Sequence, residues 1–294
     1  MANLKIIRNR IASISSTRQI TNAMKMVSAA KLRKAQDAII RLRPYADKIY
    51  EMLRNVSDVL ASDEDNPYAK EREIRRVLIV VITSNKGLCG AFNSNVTRRA
   101  IELGHGEYER LISGKNLEFM AIGRRGFEAL HRGKYNVTSD HKDIYDALNF
   151  DNAASLAQGI MNDFREEKYD KVWLIYNQFK NAAVQVLQTE QFLPVQLPEE
   201  PADILGTLPD YIFEPDKKTI VRELIPKSLK IQVYKSLLDS FASEHGARMT
   251  AMHQATDNAT ELIKDLKLHY NKARQASITN EILEIVSGAE ALKG

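Results

Sequence analysis

The residues best suited to chemistry lie in a loop that contains two glycines and joins a predicted strand to a predicted helix. The loop, residues 84–93, reads Ser-Asn-Lys-Gly-Leu-Cys-Gly-Ala-Phe-Asn. Because the first backbone N–H groups of a helix have no partner within it, such a loop could hold an anion. The glycines are three residues apart, however, and no Lys-Ser or Lys-Thr pair follows, which matches neither a dinucleotide-binding loop nor a P-loop. The spacing is therefore weak evidence for phosphate binding.

Cys89, in the same loop, is the single cysteine of the chain. It could be a nucleophile whose thiolate is stabilised by the helix N-terminus, or a small buried residue beside a core strand, which is the more common state of a free cysteine. The histidines show no metal-ligand spacing with cysteine or carboxylate: His105, His131, His141, His245, His253 and His269. The sequence thus predicts no metal and no cofactor, and a lone cysteine suits a reducing compartment.

The elements that would hold this loop alternate between strands and helices. Ten of the thirteen glycines lie between Gly87 and Gly206, among short apolar runs. Strands are predicted at 77–82, 117–122, 135–139 (an edge), 171–176 and 183–189, the last two antiparallel through a turn at 177–181. Helices are predicted at 92–103, 125–131 and 152–167. This alternation predicts a Rossmann-like three-layer α/β domain with a mainly parallel sheet over residues 75–193, followed by a proline-rich connector at 194–214.

Both ends of the chain predict long helices. Residues 227–293 contain no proline, and at about 1.5 Å per residue they would exceed the diameter of a compact domain. Counting in heptads from Leu4, thirteen of seventeen seam positions up to Leu60 are apolar, and the same count from Ile231 gives twelve of seventeen. The heptad period predicts an antiparallel left-handed coiled coil formed by residues 1–60 and 215–294. The alternative is two ordinary amphipathic helices packed on the middle domain.

Polar residues interrupt both seams. In the first helix the consecutive seam positions Arg18, Thr21, Lys25 and Ser28 are polar, and there we expect the apolar stripe to shift to three neighbouring residues: Ile20, Met24 and Val27. In the second helix the interruption falls at His245 and Arg248. Apart from these interruptions, both seams are predominantly apolar.

Positive charge is concentrated at the N-terminus. Residues 1–43 carry ten Lys and Arg against Asp37 alone, a net charge of +9, so the remaining residues sum to −5. Nucleic acid or an anionic membrane surface is a possible partner for such charge. The cations nevertheless occupy five of the seven heptad positions and surround the helix, which favours enclosure by acidic protein. No apolar run is long enough to span a membrane, and the N-terminus lacks the apolar core of a signal peptide.

Several stretches resemble the gamma subunit of the F-type ATP synthase, and the resemblance covers essentially the whole chain. They are residues 24–31 (MKMVSAAK), 87–90 (GLCG), 247–259 and 270–281 (YNKARQASITNE). The resemblance implies a non-catalytic rotor shaft inside a ring of alpha and beta subunits, with the α/β domain as a foot on the epsilon subunit and the c-subunit ring. It also implies a peripheral location at the cytoplasmic face of a bacterial inner membrane, reached through the c ring only, and no nucleic-acid partner.

The resemblance also assigns contact residues. Contacts with the alpha/beta ring are implied for Met24, Lys25, Arg248, Arg274, Gln275, Thr279 and Glu281, and contacts with the c ring or epsilon for Tyr211 and Phe213. A plainer interpretation is that Ala273 and Ala276 permit close helix approach while Arg274 is solvated. Gly246 departs from the usual alanine of the family, so we expect a helix softened by about 0.5–1 kcal/mol at that point. From the residues alone, a nucleic-acid-binding coiled coil and an enzyme using Cys89 stay open.

Overall fold

The computed structural model describes residues 2–55, 66–70, 72–195 and 216–291. In chain order the elements are helix α1 (Ala2–Asn55), strand β1 (Val77–Ile82), helices α2 (Phe92–Glu107) and α3 (Glu109–Ser113), strand β2 (Leu117–Ile122), helix α4 (Arg124–Arg132), strand β3 (Val137–Asp140), a 3-10 turn (Lys142–Tyr145), helix α5 (Phe150–Arg165), strands β4 (Lys171–Phe179) and β5 (Gln185–Leu193), and helix α6 (Lys217–Ala291). The chain forms two compact units, Met1–Ala29 with Arg248–Gly294, and Ala30–Ala247.

The second unit is built on a five-stranded sheet in the order β3-β2-β1-β4-β5. Strands β1 to β4 are parallel, and β5 is antiparallel to β4. The central strand β1 consists of six apolar residues, all of them buried. A continuous apolar run of this kind is typical of a parallel strand covered on both faces.

Helices cover both faces of the sheet, because the side chains of β1 alternate between two cores. Leu78, Val80 and Ile82 pack with α5 and with the segments of α1 and α6 that belong to this unit. Val77, Ile79 and Val81 pack with α2 and α4. The predicted three-layer α/β domain with a mainly parallel sheet is therefore confirmed.

Most predicted elements are confirmed, with shifted bounds. Strands β1 and β2 begin and end where the sequence predicts, while β4 continues to Phe179 and β5 begins at Gln185, which moves the hairpin turn from 177–181 to 180–184. Asn177, which we expected in a turn, is a buried strand residue because its side chain bonds to Phe92 O. Helix residues predicted at 56–60, and the connector from residue 196 onward, lie outside the described residues.

In the first unit, α1 and α6 pair in antiparallel fashion. The Thr21 and Thr256 hydroxyl oxygens are 2.8 Å apart, and Arg8 donates to the Tyr270 hydroxyl at 2.8 Å. Thirteen residues along α1 therefore match fourteen along α6 in the opposite direction. The antiparallel helix pair is confirmed, and its left-handed supercoil stays a prediction.

The seam of α1 does not shift as we expected. Thr21 and Ser28 are buried, 8% and 2% exposed, whereas Ile20 and Val27 are 60% and 57% exposed. The heptad positions are kept because a small hydroxyl side chain can be buried when it finds a partner, as Thr21 does with Thr256. The expected apolar stripe at Ile20, Met24 and Val27 is therefore wrong.

In the seam of α6, alternate positions lie one residue after the predicted ones, whereas the predicted Met252, Ala259, Leu266 and Ala273 are kept. Ile263 is 7% exposed, and the predicted Leu262 is 42% exposed. Tyr270 and Ser277 are likewise partly buried, while His269 and Ala276 are exposed. The prediction placed a step of three residues after Met252, whereas the structure has a step of four, to Thr256. The contacts of Thr256 with Thr21 and of Tyr270 with Arg8 fix this order.

The helix segments of the second unit are buried differently. Ala46 and Ile49 of α1, with Leu229 and Leu237 of α6, share one apolar core with the sheet. Within residues 30–247 the helices thus pack on the middle domain, as the alternative prediction held, while residues 2–29 and 248–277 pair with each other. The division into a shaft, a foot and a connector stays a prediction about mechanical roles.

Candidate functional site

The polar groups of the loop at residues 84–93 form hydrogen bonds with one another. Asn93 Oδ1 accepts from Ser84 N at 2.9 Å, and Asn93 Nδ2 donates to Cys89 Sγ at 3.2 Å. Ser84 Oγ donates to Lys86 O at 2.7 Å. Cys89 is 2% exposed, which is the environment of a structural cysteine rather than that of a reactive thiolate.

The same loop is tied to the next crossover of the sheet. Asn85 Nδ2 donates to Lys142 O at 2.8 Å, and Asn85 Oδ1 accepts from Arg124 N at 3.1 Å. Gly123 has φ +99°, and a Cβ there would lie 2.2 Å from Thr83 O, so only glycine fits. The glycine-containing loop is therefore a rigid connection at the carboxyl edge of the sheet.

Within residues 2–55, 66–70, 72–195 and 216–291, no group of three or more His, Cys, Asp or Glu side chains is placed to hold a metal ion. No helix among these residues is both long and apolar enough to cross a bilayer.

Four of the implied ring contacts lie together near the end of α6. Arg274, Gln275, Thr279 and Glu281 are all exposed. Thr279 Oγ1 donates to Gln275 O at 2.9 Å, and Ser277 Oγ donates to Glu281 Oε1 at 3.4 Å. Because residues four or seven apart share a helix face, Gln275 lies with Thr279 and Arg274 lies with Glu281, on two separate stripes of the helix.

The other implied contacts are distributed differently. Met24 and Lys25 are partly exposed on α1. Arg248 is only 5% exposed. Tyr211 and Phe213 lie outside the described residues. The structure thus places four of the nine predicted contact residues in one exposed stretch of α6, and their roles stay predictions.

Sequence reasoning missed a set of exposed apolar side chains at the same end of α6. Every described residue of α6 after Ser277 whose side chain is characterised is exposed, and five of these are large and apolar: Ile278 48%, Ile282 55%, Leu283 57%, Ile285 71% and Val286 52%. We call residues 278–291 the terminal segment. Arg8 pairs with Tyr270, and α1 begins at Ala2. The terminal segment of α6 therefore extends beyond the part of the helix that α1 contacts. The difference in length of the two predicted helices was the signal that could have indicated it.

Sequence reasoning also missed a buried polar stretch of α6, residues 236–246, which we call the enclosed segment. Ten of its eleven residues are buried. Six of the ten are polar: Ser236 0%, Asp239 5%, Ser240 1%, Ser243 0%, Glu244 6% and His245 4% exposed. Burial raises the pKa of Asp239 to about 6, although the charges of Lys235 and Arg43 act in the opposite direction. Its composition resembles a solvated helix face, so no pattern in the sequence indicated burial.

The comparisons with known proteins are consistent over the whole chain. The sequence profile of a family described as ATP synthase matches residues 3–292. An ATP synthase gamma chain from Flavobacterium psychrophilum is 58% identical over 298 residues, which cover 100% of both chains. Among solved structures, the rotor of the Euglena gracilis mitochondrial ATP synthase has a TM-score of 0.67 at 21% identity and covers 94% of this chain and 99% of its own. The central stalk and c-ring structure of the Tetrahymena thermophila mitochondrial ATP synthase has a TM-score of 0.56 at 27% identity, with 80% and 99% covered.

Proposed function

This chain belongs to the ATP synthase gamma chain family, and from that premise we propose that it is the central rotor stalk subunit of a bacterial F-type ATP synthase. It couples ion-driven rotation of a c-subunit ring to conformational change at the catalytic sites of a ring of alpha and beta subunits. The epsilon subunit is a further partner, and nucleic acid is not. The chain works at the cytoplasmic face of the inner membrane and meets the membrane only through the c ring.

The terminal segment is the observation that carries the proposal. Its large apolar side chains would be costly to leave in water, since each Å² of apolar surface removed from water stabilises by about 25 cal/mol. A cluster of such side chains at the end of a helix is typical of a surface that another protein covers. A helix end with exposed apolar and polar side chains fits a shaft that turns inside a protein ring and makes few fixed contacts.

Rotation of this shaft would act on catalysis without chemistry by the shaft itself. A ligand or partner changes an equilibrium between two states only by its different affinity for them. The shaft must therefore contact the successive beta subunits unequally, and an asymmetric pair of helices does so. In this proposal no side chain of the chain touches the reacting phosphates, and the chain is a non-catalytic subunit.

Each contact residue then has a role. Arg274, Gln275, Thr279 and Glu281, which are exposed, bond to loops of the beta and alpha subunits. Met24, Lys25 and Arg248 meet an acidic beta loop lower on the shaft. Because Arg248 is only 5% exposed, its contact requires the guanidinium to move outward or the partner loop to reach in. Tyr211 and Phe213 rest on the c ring.

The same proposal assigns mechanical roles along the chain. Residues 1–60 and 215–294 form the shaft, residues 75–193 the foot, and residues 194–214 the connector between them. The sheet core supports the role of a foot, because a rotating base must not deform. Its five strands are covered on both faces by helices.

Reconstitution tests the proposal. We expect the purified chain to restore ATPase activity to a mixture of its alpha and beta subunits, with the mixture lacking the chain as the baseline. Failure to raise the activity would contradict the proposal. Steeply salt-dependent binding to duplex DNA would instead support the nucleic-acid alternative. Turnover by the chain alone that Cys89→Ser abolishes would support the enzyme alternative.

A further inference from the structure

Helix α6 is surrounded by its own chain along the enclosed segment, residues 236–246. Resting on the proposed function, we infer that this segment is the joint through which the sheet domain turns α6, and that Ser243, Gly246 and Asp239 position the helix in it. The joint lies wholly within residues 30–247. From it α6 continues without interruption to Ala291.

A joint that transmits torque must resist rotation of the helix about its own axis. Apolar contacts are non-directional, so they hold a helix in place without fixing its rotation. Hydrogen bonds require defined angles, and backbone packed on backbone leaves no side chain to yield. The enclosed segment carries both kinds of contact, which explains why so many of its buried residues are polar or small.

A hydrogen-bonded path links the enclosed segment to the middle of the sheet. Ser243 Oγ donates to Asn177 O at 3.0 Å, and Asn177 Nδ2 donates to Phe92 O at 3.1 Å. Ser243 is 0% exposed and Asn177 3% exposed. Since Phe92 begins α2 on the opposite face of the sheet, the path crosses all three layers of the domain.

Backbone contact holds a second position of the helix. A Cβ added at Gly246 would lie 3.3 Å from both Cα and O of Ala182, in the turn between β4 and β5. That turn is itself rigid, because Asn181 Oδ1 accepts from the N–H groups of Ala183 at 3.0 Å and Val184 at 2.8 Å. Gly246 therefore permits close approach of α6 to a braced hairpin. The softening of the helix expected at Gly246 stays a prediction.

Asp239 holds a third position. Its carboxylate accepts a hydrogen bond from the backbone of Phe179, and it faces Arg43 of α1 and Lys235 of α6, with Glu190 of β5 acting against its charge. On another side of the segment, Phe241 stacks with Tyr145 of the 3-10 turn at a ring-centroid distance of 6.0 Å. The helix is thus held by the hairpin, by α1 and by the 3-10 turn, and it cannot rotate without breaking several of these contacts.

A matched pair of glycine variants tests the inference. Gly246→Val inserts a side chain against the Ala182 backbone, whereas Gly159→Val adds the same side chain on α5, where a Cβ would meet nothing within 4 Å.

The assembled synthase is fixed by its alpha/beta ring and halted with a non-hydrolysable ATP analogue. A bead attached through a cysteine introduced at exposed Glu166 reports the angle of the sheet domain. We expect Gly246→Val to widen the angular spread by about twofold and to lower ions pumped per ATP, with Gly159→Val unchanged.

Ser243→Ala provides a second, smaller change, because it removes one hydrogen bond and adds no volume. We expect it to widen the angular spread by less than Gly246→Val does. If Gly246→Val does not assemble into the synthase, the angular spread of Ser243→Ala alone tests the inference. An angular spread equal to that of the wild type in Ser243→Ala and in any assembled Gly246→Val overturns the inference, as does an equal widening in Gly159→Val. If the wild-type chain fails to restore ATPase activity, it is the proposed function that has failed.

Discussion

Two stretches of the same helix show opposite patterns of burial. In the enclosed segment, polar side chains such as Asp239 and Ser243 are buried. In the terminal segment, apolar side chains such as Ile282 and Ile285 are exposed, 55% and 71%. Polar side chains are expected to be exposed and apolar ones to be buried, and both stretches show the opposite. In these two stretches, burial therefore depends on the elements that surround the helix and not on the local sequence.

The contrast indicates different functions for the two stretches. In the enclosed segment, Ser243 and Asp239 find hydrogen-bond partners within the chain, at Asn177 and Phe179. The terminal segment has no covering element among residues 2–29 of α1, which pair only as far as about residue 277 of α6. One part of the helix is fixed to its own domain, and the other presents a surface to a ring of partners.

Leucine truncations in the two kinds of environment would show the largest difference. Leu237 is 0% exposed in the enclosed segment, and Leu283 is 57% exposed in the terminal segment. We expect Leu237→Ala to lower the free energy of unfolding by about 2–5 kcal/mol, since it leaves a cavity, and Leu283→Ala to change it by less than about 0.5 kcal/mol. Urea denaturation of the purified chain measures both. Equal losses would remove the distinction between the segments.

The buried carboxylate of Asp239 gives the enclosed segment a pH dependence. The folded protein keeps a proton on Asp239 up to about pH 6, whereas the ordinary pKa is 3.8. This proton stabilises the fold fully below the ordinary pKa, and the contribution is lost as pH rises through about 6. Asp239→Asn cannot titrate. Between pH 4.5 and pH 7 we therefore expect the wild type to lose up to about 2 kcal/mol relative to this variant.

Exposed Asp37 on α1 supplies the control. Asp37→Asn should show the same pH dependence as the wild type in urea denaturation at the two pH values. A difference between the wild type and Asp239→Asn that stays constant with pH would show that Asp239 is ionised throughout. The carboxylate would then lie in a more polar environment than the fold implies.

How far the fold can be predicted depends on whether apolar residues alone decide burial. They do so in β1, whose unbroken apolar run defines both its bounds and its central place in the sheet. They also indicate both long helices. They fail where a one-residue choice between Leu262 and Ile263 depends on a contact with the opposite helix.

The candidate site was predictable only through family resemblance and helix position. Arg274, Gln275, Thr279 and Glu281 are exposed, and their predicted contacts stay predictions. The enclosed segment could not be predicted in this way. Its burial follows from Asn177, Ala182 and Phe179, each of which lies at least sixty residues before the residue that it contacts.

Alanine at Arg274 and Gln275 tests the exposed end of α6, just before the terminal segment. Both side chains are exposed, so we expect Arg274→Ala with Gln275→Ala to leave the free energy of unfolding unchanged. In the assembled synthase, removal of their contacts should lower ion-driven ATP synthesis by about tenfold, as loss of a few central contacts typically does. Normal synthesis by the double variant would exclude these residues as the torque contact.

The smallest effect is expected where α1 and α6 pair through Thr21 and Thr256. Their hydroxyl oxygens are 2.8 Å apart, and Thr256 also donates to Met252 O at 2.7 Å. A double-mutant cycle with Thr21→Val and Thr256→Val isolates the interaction, because valine keeps the shape of threonine and removes the hydroxyl. We expect a coupling energy of about 0.5–1.5 kcal/mol in urea denaturation, the usual net contribution of one hydrogen bond.

Thr279→Val is the matched control, because its hydroxyl bonds only to the carbonyl one turn earlier in the same helix, at Gln275. Combined with Thr21→Val it should show no coupling, since sites without shared contacts act independently. A coupling near zero for Thr21 and Thr256 would mean that the polar seam is held by shape alone. The helix pair would then keep the Arg8 to Tyr270 hydrogen bond at its end, and we would expect it to rotate and slide more freely than the enclosed segment.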